Sequence, residues 1–166
     1  MSNNLKVFSP QPGPQEAALA SPADILIYGG SAGGGKTFSL LYEPIRHLDN
    51  ALFKAVIFRR TSPEITNPGG MWDESGMLYA YLDATPKEGM AEWTFPSGAT
   101  IKFSHIQYES DLHNWTGSQV PFIGIDQLET FTERMFWYLF SRNRSTCGIR
   151  PYMRATCNPV PPEDEV

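Results

Sequence analysis

Residues 30–37 have the types and the spacing of a loop that binds a polyphosphate. They fit the pattern G-x-x-x-x-G-K-[ST] without a mismatch. Residues without a Cβ let phosphate oxygens approach the backbone, and the loop amides then face those oxygens. In this pattern the lysine reaches the β and γ phosphates and the final hydroxyl binds Mg²⁺. We expect the binding positions to be Gly30, Ser31, Ala32, Gly33, Gly34, Gly35, Lys36 and Thr37.

The segments on either side of the loop fit the same interpretation. The apolar run 24–28 indicates a buried strand, and residues 38–42 indicate a helix. A flexible glycine-rich turn that happens to precede Lys-Thr is the alternative. A strand before the loop and a helix after it favour the phosphate-binding loop.

A second apolar strand supplies a carboxylate for the metal. Residues 120–125 are apolar and end in Asp126, about ninety residues after the loop. An aspartate at a strand end is weak evidence alone, but Mg²⁺ beside a loop hydroxyl needs an oxygen ligand of this kind. We therefore predict that Thr37 and Asp126 hold the metal.

Two further strands end in polar residues. Arg59 and Arg60 follow the strand 54–58, and Asn158 follows the strand 152–155. Because ligands gather at the carboxyl ends of parallel strands, the arginines are candidates for facing the nucleotide or a neighbouring subunit. Asn158 is a candidate sensor of the γ-phosphate. The alternatives are a solvated arginine pair and an Asn-Pro turn.

The first 22 residues are rich in proline and predict an arm with a short helix over 15–20. Gln15 lies just ahead of the strand that leads into the phosphate loop. It is a candidate for contacting the edge of the nucleotide base. A solvated glutamine at a helix start is the alternative.

Strands and helices alternate along the rest of the chain. We predict helices over 71–82 and 132–140, a loop over 62–70, and a helix after the phosphate loop that Pro44 kinks or shortens before about residue 50. Residues 92–95 and 100–103 flank Pro-Ser-Gly-Ala and predict a hairpin, either inserted or at an antiparallel edge. The pattern indicates an α/β fold with a mainly parallel sheet and helices on both faces.

The composition of the chain argues against several classes of protein, among them strong nucleic-acid binders, zinc proteins and membrane proteins. The 166 residues suit one domain. The net charge of −5 argues against strong nucleic-acid binding by this segment alone. Cys147 and Cys157 form no C-x-x-C pair, and His105 and His113 have no partner at metal-ligand spacing, so neither zinc nor a disulfide framework is expected. No apolar run approaches the length of a membrane span, so we expect no membrane partner.

Several motifs together resemble one family, the N-terminal ATPase domain of the large terminase subunit of tailed double-stranded DNA bacteriophages. The resemblance covers nearly the whole chain. The motifs that carry it are Gly13-Pro14-Gln15, residues 28–37, Phe58-Arg-Arg-Thr61, Phe95-Pro-Ser-Gly98, Trp115-Thr-Gly117, Ile123-Gly-Ile-Asp126 and Thr156-Cys-Asn-Pro159.

The resemblance implies a RecA-like P-loop NTPase fold and ATP with Mg²⁺ as cofactors. It implies hydrolysis that drives double-stranded DNA into a procapsid from a homo-oligomeric ring in the host cytoplasm. The portal protein and the small terminase subunit are the implied partners. We expect residues 1–22 to form the arm with the glutamine element and 23–166 an ATPase domain that is truncated at its C-terminus. We also expect the family's nuclease domain, and with it nuclease activity, to be absent, as in a fragment or a split gene product.

One departure from the family concerns the residue that activates the attacking water. The family usually has Asp-Glu at the end of this strand, whereas this chain has Asp126-Gln127. A glutamine orients water but accepts no proton. We expect Glu129 to replace the missing carboxylate and Gln127 to support the water. The alternative is that Glu129 is a solvated acid near a helix start.

Other assignments stay open at this stage. In the hypothesis of a DNA-packaging ATPase, Lys36 stabilises phosphate charge. The arginine finger, from its own subunit or a neighbour, would be Arg59, Arg60, Arg142 or Arg144. The rival functions are a nucleotide-binding module with little turnover and another P-loop motor such as a helicase. No Asn-Lys-x-Asp guanine motif occurs, which counts against a GTPase.

Overall fold

A seven-stranded sheet forms the centre of the protein. The computed structural model describes residues 8–31 and 35–160, so the predictions for Ala32, Gly33 and Gly34 lie outside the described residues. The strand order is β1-β7-β6-β2-β5-β4-β3. The strands are β1 (Ile25–Gly29), β2 (Lys54–Arg59), β3 (Thr85–Lys87), β4 (Glu92–Thr94), β5 (Thr100–His105), β6 (Phe122–Ile125) and β7 (Tyr152–Cys157).

The sheet is parallel except at one edge. β1, β7, β6, β2 and β5 run parallel, and β4 and β3 join antiparallel beside β5. The predicted hairpin is therefore β4–β5 at the antiparallel edge, with β5 also paired to β2. Strand β3 was not predicted, because it is three residues long, exposed and contains Pro86.

The helices are short. They are α1 (Pro14–Ala20), α2 (Lys36–Tyr42), α3 (Pro63–Thr66), α4 (Met71–Tyr79) and α5 (Glu133–Arg142). Pro44 shortens the helix after the phosphate loop as predicted, because α2 ends at Tyr42 and a 3₁₀ turn over Glu43–His47 follows. The predicted loop 62–70 was wrong in one part, since Pro63 at a first helical position begins the single turn α3.

Both faces of the sheet are covered, as the alternation predicted. Along β2, Ala55 and Ile57 belong to the apolar cluster that contains Leu40 of α2 and Leu78 of α4. Val56 and Phe58 belong to the opposite cluster, with residues of α5 and of the 3₁₀ helix Glu109–Trp115. Burial on both faces explains why the central strands are continuously apolar.

The parallel register brings the carboxyl ends of four strands together. Gly29 of β1 lies opposite Cys157 of β7, and Ile125 of β6 lies opposite Ala155. The β2 residue Phe58 lies beside Ile125 on the other side. The residues just beyond these positions therefore meet at one edge of the sheet. None of the helices in the described ranges combines the length and the apolar character that crossing a membrane requires.

Candidate nucleotide and metal site

A buried aspartate is the centre of the site. Asp126 follows β6 and is 1% exposed. Its Oδ2 accepts hydrogen bonds from Thr37 Oγ1 at 3.3 Å and from Arg59 Nε at 2.8 Å. Its Oδ1 accepts from the hydroxyl of Thr156 on β7, itself 1% exposed. The three donors come from α2, β2 and β7, so the sheet topology assembles the cluster.

The donors around Asp126 fit Mg²⁺. A threonine hydroxyl and a carboxylate oxygen 3.3 Å apart are both hard oxygen ligands of the type that Mg²⁺ prefers. Among residues 8–31 and 35–160, no group of three or more His, Cys, Asp or Glu side chains is placed to hold a metal ion. Thr37 and Asp126 are the side chains that would hold Mg²⁺ at this place.

Lys36 lies at the first position of α2, beside the part of the loop that the structure describes. Its Nζ donates to the carbonyls of Gly30 and Ser31, each at 2.6 Å. These bonds hold the ammonium against the first residues of the loop. They also satisfy two backbone carbonyls that the tight loop leaves without a helical partner.

Gln15 clamps the loop from the side of the arm. It lies on α1 and is 3% exposed, so the alternative of a solvated glutamine is wrong. Its Nε2 donates to the carbonyl of Gly35 at 3.0 Å, and its Oε1 accepts from the backbone of Gln11 at 2.7 Å. A Cβ at Gly35 would lie 1.8 Å from Gln15 Nε2, and Gly35 has φ +67°. A side chain at position 35 would therefore displace the Gln15 amide and hold a strained backbone conformation. The contact with adenine stays a prediction.

The two predicted residues Glu129 and Asn158 lie against each other. Asn158 donates its side-chain amide to Glu129 Oε1 at 2.7 Å and its backbone amide to Oε2 at 3.1 Å. The chain turns after Asp126, where Gln127 has φ 59° and a 3₁₀ turn over Leu128–Thr130 follows. Glu129 is half-buried and bonded twice, so the solvated alternative is wrong. Its role with water stays a prediction.

The two arginines after β2 have different environments. Arg59 is 12% exposed, and its terminal nitrogen lies 2.6 Å from Asp126 Oδ2. Arg60 turns to the other side, where it donates to the carbonyls of Gln107 and Thr130 at 3.0 and 2.6 Å. The alternative of a solvated pair is therefore wrong. Arg60 fixes the turn that carries Glu129, since Thr130 closes that turn.

The later arginines lie at the far end of the sheet. The carbonyl of Arg142 accepts from the backbone of Val120, which precedes β6. The guanidinium of Arg142 lies 5.4 Å from the ring centre of Tyr138. The length of β6 therefore separates Arg142 from Asp126 within one subunit. Arg144, two residues beyond, follows the same turn, since its backbone donates to the carbonyl of Arg142.

Two features of the site were missed from the sequence. The first is the bond from Thr156 to Asp126, although its place in Thr-x-Asn at a strand end was the available signal. The second is Glu74 in the first turn of α4. Burial raises the pKa of Glu74, the Asp126 carboxylate raises it further, and Arg59 lowers it. Glu74 is therefore an acidic neighbour of Arg59 and Asp126 that no motif marked.

Several solved structures with this fold are large terminases. The chain matches the large terminase of a thermophilic bacteriophage with a TM-score of 0.67 and 19% identity, covering 87% of this chain and 38% of that one. The same terminase in complex with ATP-gamma-S gives 0.60 and 16%, covering 87% and 37%. The ATPase domain of the Thermus phage P74-26 large terminase gives 0.57 and 10%, covering 92% and 66%.

The chain spans about 38% of the length of the first of these structures. No protein of curated function matches it in sequence. Residues 27–163 match the family described as "Terminase large subunit, T4likevirus-type, N-terminal". That match includes Lys36, Thr37, Arg59, Asp126 and Asn158, and it covers most of the chain. The RecA-like sheet and the motifs at its carboxyl edge agree with it, and the chain belongs to the family of N-terminal domains of large terminase subunits.

Proposed function

We propose that this chain is an ATP hydrolase domain that couples Mg-ATP turnover to the movement of double-stranded DNA into a procapsid. The observation that carries the proposal is the 3.3 Å hydrogen bond between Thr37 of the phosphate loop and the buried carboxylate of Asp126. Membership in the large terminase family supports it. A related large terminase has been solved in complexes with ADP and with ATP-gamma-S, which supports nucleotide binding here.

The residues around the site have different proposed roles in hydrolysis. The loop amides and Lys36 bind the β and γ phosphates and stabilise the charge that develops on them. Thr37 and Asp126 would hold Mg²⁺, which when bound neutralises phosphate charge. Thr156 fixes the orientation of Asp126 through Oδ1. Gln15 holds the carbonyl of Gly35, and through it the end of the loop from which α2 begins.

Glu129 is the proposed carboxylate for the attacking water. Gln127 occupies the position after Asp126 where the family has glutamate, and its amide accepts no proton. Glu129 lies on the next turn and is held by both amides of Asn158. Because Glu129 is bonded to Asn158 at the end of β7, a change at the nucleotide that moves Glu129 would reach β7 through this contact. Asn158 is the proposed coupling residue for this reason.

The proposed partners follow from the family. They are double-stranded DNA, the portal protein, the small terminase subunit and further copies in a ring, in the cytoplasm of an infected host. The chain spans about 38% of a solved large terminase, so the activities of that whole protein are proposals for this chain. Nuclease activity is not expected from residues 1–166.

A second candidate is a nucleotide-binding module with little turnover. The observation that favours it is Gln127, since the usual catalytic carboxylate is replaced by an amide at this position. The two candidates differ in steady-state turnover at saturating ATP. Tight binding of ATP with no hydrolysis, also in the presence of DNA, would favour the module.

Paired substitutions test the hydrolase. Lys36→Ala should lower kcat by about a hundredfold or more, because the charge that stabilises the transition state is lost. Lys87→Ala is the control, since Lys87 is half-exposed and pairs with Glu92 away from the site. Parental turnover in Lys36→Ala would refute the assignment.

A second pair of substitutions tests the role of Glu129. Glu129→Gln should lower kcat by about a hundredfold while ATP still binds, and Gln127→Glu should keep or raise kcat. Glu133→Gln is the matched control, because Glu133 is exposed on α5 and accepts a hydrogen bond from Trp137 at 3.1 Å. Parental kcat in Glu129→Gln would remove Glu129 from the mechanism and leave the phosphate and metal site intact.

A further inference from the structure

We propose that Arg59 and Mg²⁺ compete for the same oxygen of Asp126. Metal binding then releases Arg59 from Asp126 and breaks the connection between this site and α3. The inference rests on the proposed function, because it concerns the same metal position. It assigns to Arg59 a role distinct from an arginine finger. Arg59 is here a positioning residue that sets how strongly nucleotide binding depends on Mg²⁺.

The competition follows from which atoms touch. Arg59 contacts Asp126 Oδ2 through Nε at 2.8 Å and through a terminal nitrogen at 2.6 Å. Oδ2 is also the oxygen that accepts from Thr37 at 3.3 Å, and the metal would be shared between these two groups. The other oxygen, Oδ1, already accepts from Thr156. Oδ2, which faces Thr37, is thus the oxygen of Asp126 that the Arg59 guanidinium occupies.

Electrostatics make joint occupancy unfavourable. Mg²⁺ binds oxygen at about 2.1 Å, which would put a divalent cation within a few ångströms of the guanidinium. The side chains of Arg59 and Asp126 are 12% and 2% exposed, so water screens this repulsion poorly. Two nitrogens of the guanidinium contact the single oxygen Oδ2 in a charge-assisted interaction, and Mg²⁺ has to displace it.

The same guanidinium connects the site to its surroundings. Arg59 also donates to the carbonyl of Glu64 at 2.8 Å, inside α3. The carboxylate of Glu64 in turn accepts from the amide and the hydroxyl of Thr61, at 2.8 and 2.7 Å. When Arg59 leaves Asp126, the segment 61–66 loses its tie to the metal site.

The test compares the full chain with Arg59→Met, which keeps the length of the side chain and removes its charge. The dissociation constant of a fluorescent ATP analogue is measured in Mg²⁺ and in EDTA. The ratio of the dissociation constant in EDTA to that in Mg²⁺ reports how strongly the metal promotes nucleotide binding. We expect this ratio to rise about tenfold in Arg59→Met, because Mg²⁺ no longer has to break a largely buried pair. Arg134→Met is the control, since Arg134 pairs with Glu109 at 3.0 Å elsewhere.

The ratio separates this inference from a contact between Arg59 and phosphate, which would change both dissociation constants together. Equal ratios in the parent and in Arg59→Met would overturn the competition while leaving nucleotide binding in place. No binding of nucleotide by the parent in either buffer would refute the proposed function and this inference with it. If circular dichroism shows that Arg59→Met does not fold, Arg59→Lys decides. Its single ammonium pairs less well with Asp126, so a ratio above the parent's supports the competition and the parent's ratio overturns it.

Discussion

The hydroxyl of Thr156 should contribute more to stability than any exposed hydroxyl of this chain. It donates to Asp126 Oδ1 and accepts from the backbone amide of Gln127 at 3.2 Å. Thr156→Val keeps the shape of the side chain and removes both bonds. A buried bond to a charged group is worth about 1.5–3 kcal/mol and a backbone partner about 1 kcal/mol. We expect a loss of about 3 kcal/mol, or roughly 6–12 °C in Tm for a domain of this size.

Thermal and urea denaturation followed by circular dichroism measure this loss. Thr116→Val is the control, because the hydroxyl of Thr116 is exposed and bonds only to Tyr138 in the contacts seen, at 3.1 Å. That variant should stay within about 0.5 kcal/mol of the parent. Thr156→Ser keeps the hydroxyl and should recover most of the difference. If Thr156→Val and Thr116→Val lose equal stability, the bond to Asp126 does not hold the site together.

Three further predictions concern pH, nucleotide and DNA. Burial raises the pKa of Glu43 above its usual 4.5, so the stability linked to its protonation is present below 4.5 and is lost as the pH rises through the folded-state pKa. Glu43→Gln should therefore melt with a weaker dependence on pH above 4.5, and an unchanged slope in melts across pH would contradict this. Gln15→Ala should weaken ATP binding roughly tenfold, because the clamp on Gly35 is lost; titration with the exposed Gln119→Ala as control checks it. The isolated chain, with its net charge of −5, should bind duplex DNA no more tightly than about 10⁻⁶ M at physiological salt, as measured by anisotropy.

Local patterns were enough to predict the elements that carry the site. The phosphate loop is contiguous in sequence, and its strand and helix follow the periodicity that burial imposes. The closeness of Thr37 and Asp126 was predictable as well, since parallel strands put their carboxyl ends at one edge. The 3.3 Å bond between these side chains joins residues 89 positions apart.

Contacts that depend on the order of the strands were not predictable. Arg59 meets Asp126 because β2 and β6 are neighbours, and 67 positions separate the two residues. Thr156 meets Asp126 because β7 lies on the other side of β6. A strand-end arginine has the same local pattern whether it faces solvent or a carboxylate. Only the sheet order decides between the two, and no short motif encodes it.

The geometry after Asp126 supports the proposal that Glu129 replaces the glutamate that the family has at position 127. Gln127 adopts the left-handed conformation, with φ 59° and ψ 56°, so the chain leaves the direction of β6 at once. The backbone amide of Gln127 donates to the hydroxyl of Thr156, and the turn Leu128–Thr130 returns the side chain of Glu129 to the sheet edge. Glu129 then contacts Asn158, which directly follows β7. Strand β7 is paired with β1, the strand that leads into the phosphate loop. A carboxylate is thus kept at this edge, two residues later than in the family pattern, and it is bonded to the segment proposed to couple hydrolysis to movement.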